Sequence, residues 1–124
     1  MLPYIPARRE VTVRDCLRNT TGLATARRVL ELMTSNHTGN IPIPILGRGF
    51  GFGMGVEVRI DSDGPPLLRS VGSYGWGGAA GTGYFADPKE DLFAIYFTQI
   101  MGYGMIPDST YAQDFERLVY SALI

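Results

Sequence analysis

The chain has 124 residues, 45% of them hydrophobic and 19% charged, with a formal net charge of −1. That length holds one domain at most, burying roughly two thirds of its unfolded surface, and the composition excludes a disordered chain. Near-neutral charge gives no electrostatic reason to expect nucleic acid or a membrane as partner, and one cysteine with one histidine excludes a disulfide framework and a Cys/His metal cluster.

No apolar run reaches the ~18 residues of a membrane span, and the first residues lack the basic region and apolar core of a signal peptide. The expectation is a soluble, cytoplasmic protein, although a mature or truncated chain reads the same way. Residues 1–9 contain Pro3 and Pro6 and are expected to form an extended arm. Residues 12–17 are expected to be a short helix, because Thr12 and Asp15 are spaced to satisfy each other's orphan backbone donors. Val13, Cys16 and Leu17 then share one face. Cys16 reads as a packing residue, since no histidine lies nearby to lower its pKa. Residues 25–36 are expected to be a second helix, with Val29, Leu30, Leu32 and Met33 apolar and Arg27, Arg28 and Glu31 solvated. His37 reads as a helix-end residue favoured by the dipole, not as a catalytic one.

Residues 40–47, with Pro42 and Pro44, are expected to be a loop. The alternation over 50–60 predicts one strand, with Phe50, Phe52, Met54, Val56, Val58 and Ile60 on one side. Gly51, Gly53 and Gly55 lie on the other, as if a helix or second backbone approached there. No dinucleotide fingerprint fits these glycines, and Gly81-Thr82-Gly83 runs into Asp87-Pro88 instead of a helix. Residues 61–66 are expected to form a turn. Residues 70–77 and 81–87 are expected to pair as antiparallel strands around the Gly-Gly-Ala-Ala corner, with Asp87 to Asp91 as the next turn. Their glycine density indicates either close approach of a ligand or backbone, or simple accommodation of Tyr74, Trp76, Tyr84 and Phe85. Residues 92–101 read as a continuous apolar strand of the buried kind, and 102–107 as a loop. Residues 111–124 read as an amphipathic helix presenting Phe115, Leu118, Val119, Ala122 and Leu123 to the sheet. The fold class is therefore α+β, an antiparallel sheet with N- and C-terminal helices packed on it.

Three motifs carry a family resemblance that covers two blocks, residues 10–23 and about 27–124. GSYGWGGAAGT at 72–82, followed by a strand, an Asp-Pro turn and an apolar strand ending in Thr98-Gln99, resembles the C-terminal region of β-lactamase-like serine hydrolases. That family includes class C β-lactamases, penicillin-binding-protein-like peptidases and related esterases. EVTVRDCLRNTTGL at 10–23 is similar to its Ile-Thr-Val-Arg-Asp-Leu-Leu-x-His-Thr-Ser-Gly-Leu landmark, with Asn19 for the usual His and Thr21 for the usual Ser. ELMTSNH at 31–37 resembles its Leu-Met-Thr-x-Asn-His helix end. In the family a long stretch separates the last two landmarks, whereas here Leu23 is followed almost directly by Thr25. The resemblance thus implies a single truncated β-lactamase-like domain over 1–124, deleted internally and at the N-terminus. Residues 1–24 would be its arm and first helix, and 25–124 its helix, strands and C-terminal helix.

Acyl transfer needs an activated nucleophile, a base within reach, and donors aimed at the developing oxyanion. The family takes these from Ser-x-x-Lys, Tyr-x-Asn or Ser-x-Asn, and a third box on a strand. Neither of the first two motifs occurs, and the sole lysine, Lys89, has Ala86 three residues before it. No catalytic residue is therefore assigned. The third box matches Trp76-Gly77-Gly78. By resemblance Trp76 walls the acyl pocket, Gly77 and Gly78 let substrate lie along the strand edge, and the Ala79 N–H is one oxyanion donor. A lactamase box would supply a lysine for a substrate carboxylate, so the esterase branch is favoured. Ser73 is no substitute nucleophile, because it misses the Gly-x-Ser-x-Gly elbow by one residue and no histidine follows it. Asp61 with Asp63, and Glu90 with Asp91, read as solvated charges in turns.

The expected function is hydrolysis of an ester or β-lactam through an acyl-serine in the parent family, with this chain inactive alone. The alternative is a noncatalytic module that pairs through exposed strand edges. No metal or cofactor is implied. The partners implied are a small ester or β-lactam, and a second copy or a complementing chain that supplies Ser-x-x-Lys.

Overall fold

The computed structural model describes residues 24–63, 67–103, 106 and 109–123. The expected arm over 1–9, the helix over 12–17 with Cys16, and the landmark over 10–23 lie outside the described residues. The described elements, in order, are α1 (Ala24–Met33), β1 (Phe50–Phe52), β2 (Glu57–Arg59), β3 (Tyr74–Gly77), β4 (Gly83–Asp87), β5 (Leu92–Tyr96) and α2 (Tyr111–Ser121). The strands form one five-stranded antiparallel sheet in the order β1-β2-β3-β4-β5. The chain is α+β, as its patterning predicts.

Two consecutive residues of β4 show how the layers stack. Ala86 joins Val56, Val58 and Tyr74 in a buried cluster against which Leu30 of α1 packs. Phe85 stacks on Tyr120 of α2, with centroids 6.0 Å apart and planes 6° apart, and meets Phe115 edge-on. Neighbouring residues of a strand point to opposite faces, so α1 and α2 lie on opposite faces of the sheet.

The single strand expected over 50–60 is instead a hairpin of β1 and β2, with Phe50 opposite Arg59 and Phe52 opposite Glu57, so Phe50 and Phe52 lie on the other face from Val58 and not on one side with it. The reversal is possible because Gly55 takes a φ of +83°, a region that costs other residues about 1–2 kcal/mol. The close approach expected of the glycines is present at two of the three: a side chain at Gly53 would strike the Met33 carbonyl oxygen and one at Gly51 the Asn36 amide, whereas Gly55 meets open space. Backbone bonds from Met54 N–H to Met33 (2.9 Å) and from His37 N–H to Phe52 (2.8 Å) join the hairpin to the end of α1.

Four further expectations are corrected. The helix over 25–36 ends at Met33, and the strand pair is shorter than 70–77 and 81–87 because residues 70–73 turn, Ser73 N–H bonding Ser70 at 3.0 Å. The apolar stretch 92–101 is not a buried strand: β5 stops at Tyr96 and is outermost in the sheet, leaving Phe93 and Ile95 substantially exposed. On α2, which ends at Ser121, Leu118, Ala122 and Leu123 face solvent, while Glu116 is the buried residue. The helix is turned this way because Glu116 and Tyr120 have polar partners beneath it.

Candidate functional site

The four residues expected to bind substrate are consecutive at the projecting end of β3. That strand pairs with β4 along its whole length, from Tyr74 opposite Ala86 to Gly77 opposite Gly83. Its pairing with β2 stops earlier, at Gly75 opposite Glu57. The phase of the ladder follows from the Gly78 N–H, which donates to the Thr82 carbonyl at 2.8 Å. Alternate residues of a strand direct both backbone groups to the same side. Trp76 and Gly78 therefore address β4, while Gly75 and Gly77 address the β2 side. Beyond Gly75 that side is open, and the Gly77 N–H and C=O have no partner there among the described residues.

Trp76 stands beside this edge, 38% exposed, with its ring edge-on to Phe52 at 5.1 Å and 85°. That contact fixes the indole plane while leaving apolar surface to solvent. The following loop is held from several points. Gly81 N–H bonds the Gly78 carbonyl at 2.9 Å, Gly102 N–H bonds the Ala79 carbonyl at 2.9 Å, and the Ala80 carbonyl accepts from Ile100 N–H (3.0 Å) and the Thr98 hydroxyl (2.7 Å). Ala79 is exposed, and its N–H donates to no partner among the described residues. Tyr84, opposite Trp76, is pushed above the usual phenol range by burial and by Glu57. It is a neutral hydroxyl at neutral pH, not a base.

The remaining candidate groups lie elsewhere. Ser73 is 1% exposed and its Oγ has no hydrogen-bond partner among the described residues, so it lacks both access and a base. The His37 imidazole is engaged at the end of α1 with the Leu32 carbonyl (2.7 Å) and the Ser35 hydroxyl (3.3 Å). Asp61, Asp63, Lys89, Glu90 and Asp91 are exposed in bends and turns. Among the described residues, no group of three His, Cys, Asp or Glu is placed to hold a metal ion, and no helix is long and apolar enough to cross a membrane.

A buried polar system on the α2 face escaped the sequence reading. Asp87, fully buried, accepts from the Tyr120 hydroxyl at 2.5 Å, the Ser70 N–H at 2.7 Å and the Lys89 N–H at 3.1 Å. Burial alone pushes its carboxyl up, but the bonds from Tyr120, Ser70 and Lys89 outweigh it and hold the group below the usual carboxylate range. Burial and the same carboxylate push the Tyr120 hydroxyl far above the phenol range. Alongside, Arg69 pairs with Glu57 at 2.9 Å and Glu116 at 3.0 Å, its guanidinium lying 5.4 Å from the Phe50 ring centroid and 5.5 Å from that of Phe85. Glu116 also accepts the Leu68 and Arg69 N–H groups at 2.6 and 3.2 Å. An Asp before Pro reads as a turn residue, and no local signal marks partners 33 to 48 positions apart.

No protein-family model matches this chain, and no curated protein matches it. Among solved structures the chain is similar to EstCE1, described as a hydrolase with promiscuous acyltransferase activity, at 28% sequence identity and a TM-score of 0.69. The similarity covers 87% of this chain and 27% of that one, so the chain spans about a quarter of the length of the structure it matches. Its sheet and helices are a hydrolase-like fold.

Proposed function

We propose that residues 76–79 form the acyl-binding and oxyanion edge of a β-lactamase-like serine hydrolase of the esterase branch, and that residues 1–124 are a single truncated domain of that family. The observation that carries this reading is the open edge of β3. Gly77 offers an N–H and C=O unpaired among the described residues beside the Trp76 indole, two residues before the exposed Ala79 N–H. A planar acyl group can lie against the indole while a backbone donor meets its oxygen, which is what stabilisation of a tetrahedral oxyanion requires. The likeness to EstCE1 supports it, since hydrolysis and acyl transfer both pass through a bound acyl group and differ only in the acceptor. With no Ser-x-x-Lys in the sequence and Ser73 buried, the covalent step has no nucleophile, and the chain alone is inert.

The test uses the purified chain with a short-chain chromogenic ester, a chromogenic cephalosporin and a Ser73→Ala control. The expected result is no turnover above buffer with either substrate. Trp76 is the sole tryptophan, so its fluorescence reports occupation of the edge directly. A short-chain alkyl ester should give a saturable shift, in roughly the millimolar range of a weak small-ligand site. Turnover abolished by Ser73→Ala would make Ser73 the nucleophile. A fluorescence signal unmoved by ester would remove the acyl edge.

One observation favours a second reading, a noncatalytic module that assembles through its strand edges. Residues 92–101 carry no charge, proline or glycine, although β5 is outermost in the sheet. Free strand edges are ordinarily guarded by such residues.

A further inference from the structure

We propose that two copies of this chain pair through β5, antiparallel about a two-fold axis at Ile95, joining their sheets edge to edge. The proposal rests on the assembly reading above and specifies its partner and register.

The phase of the ladder determines which groups of β5 are free among the described residues. Trp76 and Tyr84 exchange bonds across β3 and β4, so Gly83, Phe85 and Asp87 direct their backbone groups toward β5. Their partners Tyr96, Ala94 and Leu92 are therefore consumed within the sheet. Phe93 and Ile95 present their N–H and C=O groups outward, and Phe97, just past the end of β5, makes no backbone bond among the described residues. With the axis at Ile95, each copy's Ile95 exchanges both bonds with the other's, and each Phe93 exchanges both with the other's Phe97. Every free group in the segment 93–97 is then paired.

The side chains agree with the same register. Phe-x-Ile-x-Phe reads identically in both directions, as an isologous contact requires. Ile95 meets Ile95 and Phe93 meets Phe97, the cross-strand apolar pairs that stabilise antiparallel sheets. The acidic Glu90 and Asp91 fall opposite Ile100 and Gln99 of the other copy, so no like charges are brought together. A neutral edge favours a neutral partner, and this chain supplies one. Phe93 is 38% exposed, Ile95 46%, Phe97 78% and Met101 75%. Taking a large apolar side chain at 150–250 Å², these fractions leave roughly 450 Å² per copy. Two copies would cover roughly 900 Å² before the backbone is counted, below the ~1,200 Å² of stable specific interfaces and within the range of weak ones. A weak, concentration-dependent dimer is expected.

The experiment is sedimentation equilibrium of the full chain over a wide concentration range, with two lysine variants. Ile95→Lys places two charges face to face at the axis and should weaken association at least about tenfold. Leu118→Lys, on the exposed side of α2, should leave it unchanged, and circular dichroism checks that both variants fold. Register is read by disulfide capture in a Cys16→Ser background. Residues at a bonded antiparallel pair have Cα atoms about 5.5 Å apart, within disulfide reach. Ile95→Cys should therefore cross-link to itself on mild oxidation, whereas Phe93→Cys should cross-link to Phe97→Cys and not to itself. A strict monomer at every concentration overturns the assembly reading and this proposal together. A dimer indifferent to Ile95→Lys, or a different cross-linking pattern, leaves the assembly reading standing and overturns the β5 register.

Discussion

Asp87 has no exposed surface, yet it stays ionised because three donors converge on it, the Tyr120 hydroxyl at 2.5 Å being the shortest. A carboxylate bonded in this way is favoured in its charged form. Because its folded pKa lies below the unfolded value, near 3.9, its stabilisation is complete above that value and is lost as pH falls through the folded pKa. Tyr120 has the opposite sign. Its folded pKa is raised, so its stabilisation is complete below about pH 10, the unfolded value, and is lost as pH rises toward the folded one. Tyr120→Phe should cost about 2 kcal/mol near pH 7, the range of a hydrogen bond to a charged group. The difference from the parent chain should narrow below about pH 4 and above about pH 10. Urea unfolding across that range is the check, and a difference independent of pH would mean that the bond contributes little.

At the scale of elements, the β1–β2 hairpin shows what was legible and what was not. The alternation of Phe50, Phe52, Val56 and Val58 marks strand, and the glycines between them mark a close neighbour. Both signals are local, and both agree with the structure. The reversal at Gly55 is not encoded in the period, because each arm of the hairpin alternates by itself, while the register places Phe50 and Phe52 on the face opposite Val58. On and just past α2 the apolar Phe115, Leu118 and Leu123 suggested the inward side, but Leu118 and Leu123 are exposed, and Phe115 shares that side with Glu116 and Tyr120, which Arg69 and Asp87 receive. Those partners are distant in sequence, so the pattern of α2 alone could not orient it. The site divides in the same manner: Trp76 to Ala79 stand out by composition, whereas the open edge at Gly77 depends on where β2 ends. The two hairpin glycines should differ on substitution. Gly55→Ala meets open space but a φ of +83°, and should cost about 1 kcal/mol. Gly53→Ala meets the Met33 backbone oxygen, which no rotamer change can relieve. It should cost about 2 kcal/mol or more, as overpacking does, and thermal melts of the two variants would show the order. Equal losses would argue that α1 yields readily against the hairpin.

At the scale of the molecule, a small core is supplemented by a buried cation that joins the β1–β2 hairpin to α2. Arg69 lies between the Phe50 and Phe85 rings and pairs with Glu57 of β2 and Glu116 of α2, with 11% of its side chain exposed. Both carboxylates are similarly sheltered, at 17% and 6%, so removing the cation leaves two acids in a poor environment. Breaking a buried pair from one side costs about 3–5 kcal/mol, a large part of the 5–15 kcal/mol that holds a domain together. Arg69→Ala should therefore be strongly destabilising, and its effect should not stay local. The β1–β2 hairpin and α2 share this one partner, so backbone amides of both should lose hydrogen-exchange protection together. Leu30→Ala should instead weaken α1 and the opposite face. Replacing Arg69 and both acids with apolar residues of similar volume should recover much of the stability, because such exchanges are often neutral or better. If Arg69→Ala loosened only residues 67–70, the guanidinium would be a local clasp, and the hairpin and α2 would be held by the sheet alone.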